Sequence, residues 1–100
     1  MEIIADVGGT KGRWVLINKT TINKIETSGF NPYSHKISSL NYHLDTIKST
    51  INDEKISKIT YYGSGINNNE MTDIVKKSID VYFPGIEINV FSDLLGSCRA

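Results

Sequence analysis

The chain has 100 residues, 39% of them apolar, with eleven basic and eleven acidic side chains, a formal net charge of zero, and one cysteine. That is room for a single domain with a modest core, since typical domains run roughly 100 to 150 residues. The balanced charge leaves no basic stripe for nucleic acid or an anionic membrane, and the lone Cys98 excludes an internal disulfide framework and a Cys-rich metal site.

No apolar run approaches ~18 residues, and the N-terminus lacks a basic segment followed by a long apolar stretch. Neither export nor membrane spanning is signalled, and a cytoplasmic location is expected. The apolar, β-branched and aromatic runs Ile3-Ile4-Ala5 and Trp14-Val15-Leu16-Ile17 read as two strands. Between them lies Asp6-Val7-Gly8-Gly9-Thr10-Lys11-Gly12, a turn joining strand to strand. The P-loop and the dinucleotide fingerprint both need a helix directly behind their glycines, and neither spelling is present. What remains is a tight hairpin in which backbone amides, the Thr10 hydroxyl and the Lys11 ammonium can face an anion, with Asp6 placed to hold a hydrated magnesium ion. Taken alone, these seven residues fit an ordinary hairpin turn carrying a polar Asp better than a phosphate site.

Thr21 to Ser28 is a third, weakly alternating strand, which would complete an antiparallel meander. Gly29-Phe30-Asn31-Pro32-Tyr33 forms a loop, because the proline removes a donor and biases Asn31 toward extended backbone. Ile37, Leu40, Leu44, Ile47 and Ile51 recur at steps of three and four and predict a helix over 36–51 with these residues on its buried face. Asn52-Asp53-Glu54 ends that helix. Lys55 to Tyr62 returns to strand character, and Gly63-Ser64-Gly65 is a second flexible turn.

Asn67-Asn68-Asn69 supplies N-caps for another helix, with Met71, Ile74, Val75, Ile79, Tyr82 and Phe83 facing inward and Pro84-Gly85 as its stop. Ile86 to Phe91 is the fifth strand, after which Ser92 can cap a helix opening near Asp93. That helix shows no stop signal, so residues 1–100 are expected to be a lobe cut within its last helix. The order is β-β-β-α-β-α-β-(α), an α/β unit with a mixed five-stranded sheet and helices packed on it.

Read together, three stretches resemble the first lobe of sugar kinases in the actin-like ATPase superfamily. Ala5-Asp6-Val7-Gly8-Gly9-Thr10-Lys11 is very close to the phosphate hairpin of that superfamily. Gly29-Phe30-Asn31-Pro32 and Tyr62-Gly63-Ser64-Gly65 resemble loops of its N-acetylglucosamine kinase-like branch, which also contains activator ATPases of hydroxyacyl-CoA dehydratases. Val90-Phe91-Ser92-Asp93 resembles the point where an Asp opens the helix after the fifth strand. The resemblance covers essentially the whole chain and implies a ribonuclease H-like lobe.

It further implies that Asp6 organises Mg2+, that Gly8, Gly9, Thr10 and Lys11 face the phosphates of ATP, that Asn31, Ser64 and Gly65 line the sugar site, and that Asp93 is the catalytic base. An Asp at a helix N-terminus has its pKa lowered, so Asp93 would act mainly by orienting a sugar hydroxyl and accepting its proton late. Gly12-Arg13-Trp14 departs from many relatives of that branch and is closer to a glucokinase style. The lone Cys98 gives no support for an iron–sulfur activator, and the family's second phosphate loop and adenosine-binding glycines belong to its other lobe, so the isolated chain is expected to be inactive.

The partners implied are a small-molecule sugar and a nucleotide; an ATPase switch closing on a protein is the alternative. Leu94 and Leu95 at the chain end make self-association, such as a homodimer, an open expectation. His35 and His43, with no supporting cluster, are read as solvated polar residues rather than ligands. Trp14, Tyr61, Tyr62, Tyr82 and Phe83 are read as core or half-buried residues.

Overall fold

Alternation decides which side of each strand is inside. The computed structural model describes residues 1–51 and 54–92. Strand β1 (Glu2–Val7) buries Ile3, Ala5 and Val7 and turns Glu2, Ile4 and Asp6 to the other face. Strand β2 (Lys11–Ile17) buries Gly12, Trp14 and Leu16, leaving Lys11, Arg13, Val15 and Ile17 on that same outer face. Strand β3 (Ile22–Ser28) is exposed along most of its length, as suits an edge, and carries Lys24 there, a charge that discourages further strand pairing.

The chain then crosses through helix α1 (Ile37–Ile51) to strand β4 (Lys58–Gly63), and through helix α2 (Asn69–Tyr82) to strand β5 (Glu87–Ser92). The five strands form one sheet in the order β3-β2-β1-β4-β5. β1, β2 and β3 are the expected antiparallel meander, while β4 runs parallel to β1 and β5 parallel to β4. The α/β order and the mixed five-stranded sheet thus match the sequence pattern. The expected last helix, with Asp93, Leu94, Leu95 and Cys98, lies outside the described residues, as do Asn52 and Asp53.

Both helices pack against one face of the sheet, and the inward residues of β1, β2 and β4 join theirs in a single core. Ala5 sits at its centre, paired with Trp14 on one side and Tyr61 on the other. Because Ala5 is small, the two rings meet edge to face across β1, with centroids 5.8 Å apart. A bulkier residue at position 5 would wedge them apart.

On α1 the buried stripe is Leu40, His43, Leu44, Ile47 and Ile51. Ile37, expected in that stripe, is exposed. His43, expected to be solvated, is only 1% exposed. Its place explains this: it follows Leu40 by three residues and precedes Ile47 by four, so helical geometry puts it on the inner face.

The start of α2 is fixed by Asn68, whose Oδ1 accepts the Met71 N–H at 2.9 Å. Val75, Ile79 and Phe83, spaced by four, bury its inner face, and the Phe83 N–H closes the last turn on the Ile79 carbonyl. Among the described residues, no helix is long and apolar enough to cross a membrane.

Candidate functional site

Strand direction gathers the loops. β1, β4 and β5 all end at one edge of the sheet, and β3 ends there beside the start of β2. The β1–β2 turn, the β3–α1 loop and the β4–α2 loop therefore meet. The Phe30 N–H donates to the Gly8 carbonyl at 3.0 Å, and the Ser64 N–H donates to the Val7 carbonyl at 3.0 Å.

Gly29 is packed so closely that a Cβ there would overlap Gly8 O, Gly9 C and Thr10 N. Gly65, at φ +75°, leaves room for Asn31, whose Oδ1 would lie 2.5 Å from a Cβ at that position. Tyr33 latches the second and third loops: its hydroxyl donates to Asn67 Oδ1 at 2.8 Å and accepts from Asn68 Nδ2 at 3.1 Å. Asp6, Gly8, Gly9, Thr10, Lys11, Asn31, Ser64 and Gly65, each singled out from the sequence, thus share one edge of the fold. Asp93, the expected base, is outside the described residues; Ser92 before it ends β5 at this same edge.

The geometry sorts these residues by what each can offer. The Gly8 N–H is used inside the hairpin, donating to the Lys11 carbonyl at 2.9 Å. The Gly9 and Thr10 N–H groups have no protein acceptor among the described residues and sit on exposed backbone, so they are the amides available to an anion. Gly12 faces inward, where a Cβ would lie 2.5 Å from Thr27 Oγ1, so its smallness serves packing rather than anion approach.

Lys11 Nζ lies 3.7 Å from Glu26 Oε2, with both side chains largely exposed. Such a surface pair contributes roughly 0–1 kcal/mol and gives way readily to a phosphate. The Asn31 Oδ1 caps its own loop by accepting the Tyr33 N–H at 2.9 Å. This leaves the Asn31 Nδ2, which donates to no protein atom among the described residues, as the group it can offer a ligand.

Arg13 was not singled out from the sequence, and the structure brings it to the site. It pairs with Asp6 across the β1–β2 ladder, and a groove of about 220 Å³ is lined by Asp6, Gly8, Lys11 and Arg13. Period two was the available signal: Lys11 and Arg13 must share a strand face. Asp6 and Arg13 form no ion pair with each other, leaving a carboxylate and a guanidinium exposed side by side.

Among the described residues no three His, Cys, Asp or Glu side chains converge on a metal position. An ion at Asp6 would therefore be held by one carboxylate together with water and ligand oxygens, the usual manner of Mg2+ bound with phosphates. A second, open groove of about 640 Å³ lies past the carboxyl ends of β4 and β5, lined in part by Gly65, Asn67, Asn68 and Asn69.

Behind the turn sits a buried polar group that the sequence reading placed in solvent. His43 Nε2 is 3.0 Å from Ser28 Oγ, its ring packs edge to face with Trp14, and its Nδ1 has no hydrogen-bond partner among the described residues. Burial, with the charge of His35 adding to it, holds the His43 pKa below the usual value. The Tyr61 hydroxyl is also buried and unpartnered, and burial pushes its pKa well up. Compared with protein-family models and with curated proteins, the chain matches none.

Proposed function

We propose that this chain is the N-terminal part of an ATP-dependent sugar kinase with a ribonuclease H-like lobe, acting on N-acetylglucosamine or a related hexose. The observation that carries the reading is the meeting of three loops, each picked out by its residues, at one edge of the sheet: the turn after Asp6, the loop holding Asn31, and the loop holding Ser64 and Gly65. Strand direction brings the three loops to one edge, and it is their residue content, donors and a carboxylate together, that supports reading that edge as one site. The strand order, with an antiparallel meander continued by two parallel strands, supports the same lobe.

In this reading the Gly9 and Thr10 amides, the Thr10 hydroxyl and the Lys11 and Arg13 cations bind and orient the phosphates of ATP. Asp6 holds a hydrated Mg2+, which would offset phosphate charge as the γ-phosphoryl group moves. Asn31 Nδ2 and the Ser64–Gly65 loop position the sugar beside that group. A carboxylate accepting the hydroxyl proton, the role the family resemblance gives Asp93, contributes roughly 10²- to 10⁴-fold. Most of the remaining acceleration comes from holding both substrates in line, which requires a second lobe.

The test is transfer of labelled phosphate from ATP to a panel of hexoses and 2-acetamido hexoses by the complete protein. Transfer to at least one is expected, and dependence on the 2-acetamido group separates the N-acetylglucosamine reading from a glucokinase-like one. No transfer to any sugar, with ATP hydrolysis stimulated by a protein partner, would replace the kinase with an ATPase switch.

A further inference from the structure

His43 is a titratable side chain in the core that the binding site does not itself use. Its only hydrogen-bond partner among the described residues is Ser28, the last residue of β3, and the next two residues press on the glycine turn: Gly29 by direct backbone packing, Phe30 by its N–H to the Gly8 carbonyl. We propose that His43 is a positioning residue for that turn, holding the end of β3 against Gly8–Thr10 through Ser28, and that protonation of its ring loosens the turn. The proposal rests on the phosphate-binding reading only for what the turn holds; the hold itself can be read without nucleotide.

The chemistry follows from the unpartnered Nδ1. An N–H on Nδ1 would be a buried donor with no acceptor among the described residues, so the single N–H of the neutral ring is assigned to Nε2, facing Ser28 Oγ, and Nδ1 is a bare lone pair. A second proton must enter at Nδ1, creating a buried charge and a donor with no acceptor. The ring can accommodate that by moving toward water, and Ser28 is then released.

The groups around it do not soften this. His35, in the loop before α1, adds like charge and offers the His43 ring no stabilisation. Tyr61 on β4 stays neutral, β2 and β3 present the uncharged Trp14 and Ser28, and Lys11 and Glu26 are exposed and paired with each other. On the α2 side, burial and the charge of Asp45 on α1 raise the pKa of Tyr82, which stays neutral.

Because the native pKa is lowered, the direction is fixed. Above about pH 6.5 the ring is neutral in both folded and unfolded chain and adds no pH dependence. As the pH falls below 6.5 the unfolded chain takes the proton first, so the folded state loses up to about tenfold in its equilibrium per pH unit until the native pKa is passed.

The experiment is an NMR titration of the labelled chain from pH 8 to pH 5, following the histidine ring nitrogens and the amides of Gly8, Gly9, Thr10 and Phe30. These amides are expected to shift with the midpoint of His43, which lies below its usual value, and their exchange protection to fall by up to about tenfold per pH unit between pH 6.5 and that midpoint and to level off below it. Ser28→Ala should leave His43 titrating while the turn amides stop following it, and His35→Gln should leave the coupling intact. Turn amides that stay flat through the His43 titration, or that follow it unchanged in Ser28→Ala, or whose transition disappears in His35→Gln, would overturn the proposal. His43→Gln should remove the shared transition; should that variant fail to fold, Ser28→Ala against the unaltered chain decides the matter.

Discussion

Gly29→Ala isolates the packing that forms the candidate site. Gly29 is buried and its backbone is not in the left-handed region, so alanine meets no conformational objection there. The cost is steric. The new Cβ would overlap three backbone atoms of Gly8, Gly9 and Thr10, none of which can swing aside as a side chain does. Restoring ordinary contact, near 3.5 Å, requires the turn to retreat by about 1 Å.

Overpacking of this kind costs about 1–3 kcal/mol, against a total of about 5–15 kcal/mol for an ordinary domain, so the chain should remain folded. A displacement of about 1 Å at a positioning element can cost on the order of 100-fold in catalysis. Urea unfolding should show the modest loss of stability, amide shifts should report displacement at Gly8–Thr10, and phosphotransfer by the complete protein should fall by about two orders of magnitude. Gly85→Ala is the control. It has no atom within 4 Å of the new Cβ but sits at φ +78°, so it should cost about 1–2 kcal/mol of backbone strain and leave the turn untouched. The reasoning is refuted if Gly29→Ala keeps wild-type turn shifts and full activity, or if Gly85→Ala disturbs the turn equally.

Tyr61→Phe removes a buried hydroxyl that has no partner while keeping the ring against Trp14, so the variant should be at least as stable as the parent, by up to about 1 kcal/mol in urea unfolding. Arg13→Ala and Asp6→Asn change exposed groups without side-chain partners among the described residues, so neither should shift the unfolding midpoint appreciably. Arg13→Ala should weaken nucleotide binding measured by titration calorimetry of the complete protein, and Asp6→Asn should remove the part of that binding that depends on magnesium. Glu26→Gln releases Lys11 from its surface pair and should leave that binding unchanged or modestly tighter.

Periodicity made most of the architecture legible. The alternation in β1 and β2, the three-and-four spacing through α1 and the Asn cap and Pro-Gly stop of α2 are local signals, and the elements formed where those signals lie. Strand order was legible only through general rules of connection, because nothing local says that β4 will lie beside β1 rather than β3. Within the site, the glycine turn and the Asn31 and Ser64 loops were visible as spellings, but their meeting depends on backbone packing at Gly29 and Gly65 that no spacing reveals.

Two side chains of α1 differ from expectation, for opposite reasons. Residue type outweighed position for His43, which reads as solvated despite its place between Leu40 and Ile47, whereas Ile37 fits the three-and-four spacing and is exposed because it lies in the first turn of α1. Arg13 was passed over because a strand cation is unremarkable until its cross-strand partner is known to be Asp6.

The central claim, that the turn after Asp6 grips nucleotide phosphate, is tested most directly by adding ATP with and without magnesium to the isotope-labelled chain and following its backbone amides. Saturable, magnesium-dependent shifts centred on Gly9, Thr10, Lys11 and Arg13 are predicted. Amides there that stay unmoved at millimolar MgATP, or shifts confined to other parts of the sheet, would contradict it.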